Sequence, residues 1–90
     1  AANMGAYIVE QFRQQLAEQN VTVRGFGLMI GIELPKACPE LVDVAREEYK
    51  LIINVTAGSV IRLLPALNID KAQADQLVER IVKMVKAFLA

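Results

Sequence analysis

Histidine is absent from this chain, and cysteine occurs once, as Cys38. Without imidazole there is no Ser-His or Cys-His dyad, and the commonest transition-metal ligand is missing. A single thiol cannot build a zinc site or close an internal disulfide, and its isolation agrees with a reducing compartment. Neither charge is in excess: ten Lys and Arg balance ten Asp and Glu. Nothing therefore draws the chain to nucleic acid or to an anionic membrane. No apolar run is long enough to span a bilayer. The first residues, Ala1 to Gly5, lack the charged region of a signal peptide and do not begin with Met, as in a cut or processed chain. Gly25-Phe26-Gly27 followed by Gly31 does not make GxGxxG and leads into a strand pattern, which excludes a dinucleotide site. The carboxylates are spread over helix patterns; the neighbours Glu47 and Glu48 face different directions. Lys36 and Lys50 stand in loop or helix-end contexts, where lysine is ordinarily solvated. Neither a catalytic residue nor a metal ligand set is expected.

What the chain has in plenty is apolar surface. Its 90 residues make one small domain, spanning 1–90, and 54% of them are hydrophobic, above the usual ~45–50%. A chain of this length buries only about two-thirds of its unfolded surface. The excess implies either a dense core or an apolar surface meant for a partner.

The pattern opens with a helix over about 3–19, where Met4, Ile8, Phe12 and Leu16 recur every fourth residue and Asn20 supplies a stop. Residues 21–34 read as strand, turn, strand, with the turn or bulge at Gly25-Phe26-Gly27. Leu28, Ile30, Ile32 and Leu34 take one face of the second strand; Met29, Gly31 and Glu33 take the other. Gly31 inside a strand suggests close approach by another backbone. A short helix follows over about 39–49. A third strand is expected at 51–55 and a fourth at 60–64, joined by a turn at Ala57-Gly58-Ser59 and ended by Pro65. The last helix has the clearest start: Asp70 as N-cap, with Gln73 three residues on to close a capping box. Ala74, Leu77, Val78, Ile81, Val85 and Phe88 form its apolar stripe, and Glu79 and Lys83 can pair one turn apart. The expected fold is therefore α+β: a small, mainly antiparallel sheet of about four strands with helices on one face, in the order αββαββα.

Arg62 interrupts the apolar run Val60-Ile61-Arg62-Leu63-Leu64. A buried arginine needs an anionic partner, and no acid lies close to it in sequence before Asp70. The partner comes from elsewhere in the fold, from a ligand or from another polypeptide, unless Arg62 lies on an edge strand and snorkels to water. Neither face of the last strand is polar, and a sheet with water on one side should alternate more cleanly. Part of the second face, around Arg62, is thus expected to dock on a body outside this chain.

Two segments carry a resemblance to a known family. The string from Val23 to Leu34, VRGFGLMIGIEL, resembles the RGxGLMxGxEL segment of class III pyridoxal-phosphate aminotransferases. Leu51 to Thr56 followed by Val60 to Leu67, VIRLLPAL, resembles the GLLxNxT and IRLLPPLN segments of their C-terminal small domain. The wording is most similar to the acetylornithine branch, and the likeness keeps order and spacing over essentially the whole chain. The resemblance implies a fold-type-I enzyme, cytoplasmic and homodimeric, moving an ω-amino group to 2-oxoglutarate in arginine biosynthesis. It implies that pyridoxal phosphate is bound by a large domain absent here, and that this small domain closes over the substrate. On that likeness Arg62 is the arginine that pairs with an active-site glutamate or receives a substrate carboxylate. The isolated chain is then expected to be inactive and to hold no cofactor itself.

The sequence departs from the family pattern at two places. Tyr49-Lys50 stands where the family has glycine before the LL strand, and a left-handed cap there would cost a lysine roughly 1 kcal/mol more than a glycine. Ala66 replaces the second proline of LPPL. The missing initiator Met and Lys50 leave an alternative open: an excised or engineered free-standing α/β module for folding or binding, with no catalytic activity.

Overall fold

The computed structural model describes residues 4–26, 29–65 and 69–90. The elements are α1 (Met4–Gln15), β1 (Thr22–Phe26), β2 (Met29–Glu33), α2 (Leu41–Glu48), β3 (Asn54–Thr56), β4 (Val60–Leu63) and α3 (Lys71–Leu89). The four strands form one sheet in the order β1-β2-β4-β3, antiparallel throughout. The expected α+β order αββαββα is the observed one.

Strand alternation decides which side chains meet the helices. One cross-strand row runs Val23, Ile32, Ile61, Val55, and the next pairs Ile30 with Leu63. These residues, apart from the half-buried Val55 packed against them, join Ile8, Phe12 and Leu16 of α1 and its following turn, Leu41 and Ala45 of α2, and Ala74, Val78, Ile81 and Val85 of α3 in a single buried cluster. Burial also takes Val82 and Met84 of α3, so its inward face is broader than the expected stripe. Gly25 lies on this covered side, where a β-carbon would meet Val9 Cγ2 at 3.4 Å, about van der Waals contact. The Arg13 guanidinium fastens that contact, donating from Nε and Nη2 to the Val23 carbonyl at 3.2 and 2.8 Å.

Local signals at the helix ends are mostly as expected. The capping box closes both ways: Gln73 N donates to Asp70 Oδ1 at 2.7 Å, and Asp70 N donates to Gln73 Oε1 at 3.0 Å. Glu79 and Lys83 pair at 3.8 Å. Asn20 has φ 58, the left-handed stop. The regular part of α1 ends earlier than expected, at Gln15, and residues 16–20 wind as turns. Residues 27 and 28, including Gly27 of the expected turn and Leu28 of the expected apolar face, lie outside the described residues. Gly25 itself is paired with Ile30 inside β1 and is not a turn residue.

The third strand is shorter than its apolar pattern suggests. It begins at Asn54, not at Leu51. The cause is the turn before it. Lys50 does adopt a left-handed φ of 58, and the Leu51 N–H turns back to the Ala45 carbonyl at 2.9 Å. Leu51 to Ile53 are consumed in leaving α2 before the chain aligns with β4. The hairpin that follows has φ 54 at Ala57 and 79 at Gly58, the positive values that tight hairpin turns require. Its carbonyls are taken up by the loop after β2, with Leu34 N to Ser59 O at 2.9 Å and Cys38 N to Gly58 O at 2.8 Å. Cys38 is fully buried there, and burial pushes its thiol pKa up, with Glu40 adding to the effect.

Two stability tests follow from these features. Lys50→Gly removes the left-handed strain and should stabilise the chain by about 0.5–1 kcal/mol, read as a higher urea midpoint at unchanged slope. The second test concerns Asp75. The Tyr7 hydroxyl donates to it across the α1–α3 contact, and Lys71 Nζ lies 3.2 Å away. The Tyr7 hydrogen bond first, and Lys71 second, hold the Asp75 carboxyl below its ordinary value of 3.8. A lowered folded-state pKa gives stability that is full above the ordinary value and is lost as pH falls through the folded one. Tyr7→Phe should therefore flatten the loss of stability as pH falls below about 4, with little change in that slope at neutral pH.

Candidate functional site

The uncovered face of the sheet carries the side chains that the alternation sends away from the helices. Its central row reads Arg24, Gly31, Arg62, Asn54, one residue from each strand in spatial order. Ile61 and Leu63 on either side of Arg62 are buried, and Arg62 is exposed, as strand alternation requires. β4 lies between β2 and β3, so Arg62 is not on an edge strand. It reaches solvent on the face turned away from the helices and not at a sheet edge, which corrects the edge-strand explanation.

The surroundings of Arg62 are apolar. Ile52 is 94% exposed and Leu64 72% exposed, the two large hydrophobic side chains most open to solvent among the described residues. Leu64 continues the Arg62 side of β4 past the buried Leu63, and Ile52 faces the same depression. Together with Met29, Asn54 and Arg62 they border a depression of about 640 Å³. A smaller cleft of about 330 Å³ lies between the end of α2 and α3, but its lining is charged and includes the paired Glu79 and Lys83. Such solvated pairs contribute little.

Among the described residues Arg62 has no hydrogen-bond or ion-pair partner. Arg24, two strands away in the same row, has one: its Nη1 lies 3.4 Å from Glu33 Oε1. Arg62 thus presents five N–H donors in a planar fork, above apolar walls, with no anion of its own. Chemically, that arrangement can grip a carboxylate with two parallel hydrogen bonds once water is displaced.

The same residues do not suit a cofactor or a metal. All five lysines, at 36, 50, 71, 83 and 86, are exposed. A lysine that forms a Schiff base with pyridoxal phosphate needs a desolvated amine or a neighbouring cation to lower its pKa. The lysines of this chain therefore do not fit that group. Among the described residues no group of three or more His, Cys, Asp or Glu is placed to hold a metal ion. Nor is any described helix long and apolar enough to cross a membrane.

The open face and its arginine coincide with the two segments that carry family-like wording, and comparison with known proteins agrees. The class-III aminotransferase family matches residues 1–85, and the chain belongs to it. An acetylornithine aminotransferase from Nitrosomonas europaea is 45% identical over 91 residues, which is 99% of this chain and 23% of that protein. The Methanosarcina acetivorans acetylornithine aminotransferase is 43% identical over 76 residues, 84% of this chain and 19% of that one. Among solved structures, the ornithine aminotransferase of Plasmodium yoelii superposes with a TM-score of 0.82 at 33% identity, covering 98% of this chain and 24% of its own. The acetylornithine aminotransferase of Elizabethkingia anophelis gives 0.82 at 26% identity over 98% of this chain and 24% of its own. The chain thus spans about a quarter of the length of the relatives it matches.

Arg62 stood out in the sequence because it interrupts an apolar run. Asn54 and Ile52 did not, because the expected strand at 51–55 gave no reason to single them out. Pro65 is described, whereas Ala66 and Leu67 of the second motif lie outside the described residues. Exposure of Ile52 and Leu64 beside an open sheet face should make the isolated chain self-associate. Sedimentation across a wide concentration range should show reversible association that Ile52→Glu together with Leu64→Glu abolishes. A strictly monomeric parent chain would contradict this.

Proposed function

We propose that this chain is the C-terminal small domain of a pyridoxal-phosphate-dependent aminotransferase of the acetylornithine/ornithine type. The observation that carries the reading is Arg62: an exposed guanidinium with no partner among the described residues, beside an apolar depression on the sheet face turned away from the helices, in a chain similar to about a quarter of such enzymes. In this reading a large domain, built by the remainder of the polypeptide, covers the open face and holds the cofactor. The cofactor, when bound, supplies the chemistry of amino-group transfer. The chain's own contribution is recognition. Arg62 either grips a substrate carboxylate or is held by a glutamate of the large domain until a carboxylate replaces it. Ile52, Leu64 and Met29 exclude water around it, which strengthens the charge-assisted hydrogen bonds. The reaction moves an ω-amino group to 2-oxoglutarate, in a cytoplasmic homodimer serving arginine biosynthesis.

Arg62→Lys in the full-length protein keeps the charge and loses the fork. Carboxylate recognition should weaken by roughly 1–3 kcal/mol. Arg62→Ala should cost more, because a glutamate facing it would be stranded without its cation. Single-turnover kinetics of the two half-reactions, with melting temperature as the check on folding, measures both. Unequal losses in the two half-reactions at an unchanged melting temperature are expected. Wild-type rates and affinities in both variants would make Arg62 a plain surface residue and remove the basis of the proposal.

A further inference from the structure

We propose that Asn54 is a second carboxylate-binding residue of this site: its side-chain amide donates to the same carboxylate that the Arg62 fork grips. This rests on the reading of Arg62 as a carboxylate-gripping residue. Asn54 is the residue of β3 directly paired with Arg62 of β4, and it is exposed. Side chains opposed in this way leave the same face of the sheet, with β-carbons about 5 Å apart. Both residues line the depression of about 640 Å³. Among the described residues they are its two polar side chains, and the rest of the lining, Met29, Ile52, Ile53, Leu63 and Leu64, is apolar.

One hydrogen bond decides how the amide is turned. The Val55 N–H donates to Asn54 Oδ1 at 2.9 Å. A backbone N–H can only donate, so the amide atom that meets it is the oxygen. That bond gives asparagine, a poor strand residue, a local reason to stand at the start of β3. It uses the oxygen alone. Nδ2 keeps two N–H donors with no partner among the described residues. The depression therefore offers a ligand donors only, five on the guanidinium and two on the amide. A carboxylate is the complement: it only accepts, at about four lone-pair sites on two oxygens. A bidentate fork takes two of those sites, and the amide serves a third. Once the face is covered, apolar walls make unpaired donors costly. A ligand lacking the carboxylate then strands both residues at once.

The test uses the full-length protein, in single turnovers with acetylornithine and with 2-oxoglutarate. Effects are read in the half-reaction that Arg62→Ala weakens more. The readouts are the substrate concentration giving half the limiting rate, and the limiting rate itself. Asn54→Ala should raise the half-saturating concentration about tenfold, as for one hydrogen bond to a charged group, with a smaller change in the limiting rate and the wild-type melting temperature. Asn54→Asp keeps an oxygen for the Val55 N–H but loses the donors and sets an anion beside Arg62. It should raise the half-saturating concentration further, and it serves if the alanine variant folds poorly. In an Arg62→Ala background Asn54→Ala should add less than about threefold, because the two residues hold one anion. Wild-type half-saturation in Asn54→Ala beside a clear loss in Arg62→Ala overturns this inference and leaves the role of Arg62 standing. No loss in either variant overturns both. A full tenfold effect of Asn54→Ala in the Arg62→Ala background puts Asn54 on another group and overturns the shared carboxylate. A low melting temperature in Asn54→Ala with wild-type half-saturation in Asn54→Asp assigns Asn54 to structure alone and also overturns the inference.

Discussion

One-sided burial of a four-stranded antiparallel sheet is the constraint on which the rest of this structure depends. Three helices lie against one face, and the side chains of β1, β2 and β4 that point toward them, from Val23 to Leu63, are buried. Alternation then leaves no freedom about what the other face carries. Arg62 must point outward because Ile61 and Leu63 point inward, and Leu64 must follow it. A register slip of β4 by one residue would bury a guanidinium and expose two core residues, Ile61 and Leu63, so the same apolar contacts that fold the chain also aim its arginine. Packing energy and site geometry are in this sense one property.

The signals legible in the sequence were those completed within a few residues. The capping box at Asp70 and Gln73 needs one helical turn, and it closes as the spacing implies. Asn20 takes the left-handed backbone expected of a stop, but the regular helix ends before it, at Gln15. The 51–55 run was read as one strand because an apolar stretch does not reveal where a preceding turn releases the chain. Here a left-handed Lys50 and the Leu51–Ala45 hydrogen bond hold Leu51 to Ile53 out of the ladder. Gly25 looked like a turn residue, but it pairs with Ile30 inside β1. The strand order, which puts Arg62 on an inner strand beside Gly31, is set by long-range pairing that no local pattern encodes.

Family membership and physical reading meet at the open face. Relatives of this chain are about four times as long, and in them a fold like this one is a minor part of a larger body. An arginine with no anion among the described residues, walled by Ile52 and Leu64, is what one would build at a junction completed from the other side. The strain at Lys50 does not disturb that junction. It lies at the end of α2, beside a charged cleft lined by Glu79 and Lys83, whereas the depression around Arg62 is lined by other residues.

The central claim is that this face is covered in the whole protein. Thiol labelling tests it directly, since native Cys38 is fully buried and should stay silent. Ile52→Cys places a thiol on the open face, and Lys86→Cys places one on the exposed side of α3. Labelling rates are compared between the 90-residue chain and the full-length polypeptide. The account predicts fast labelling at both positions in the short chain, and in the full-length protein strong protection at position 52 with little change at 86. Equal rates at position 52 in the two contexts would show the face open in the whole protein and contradict the account.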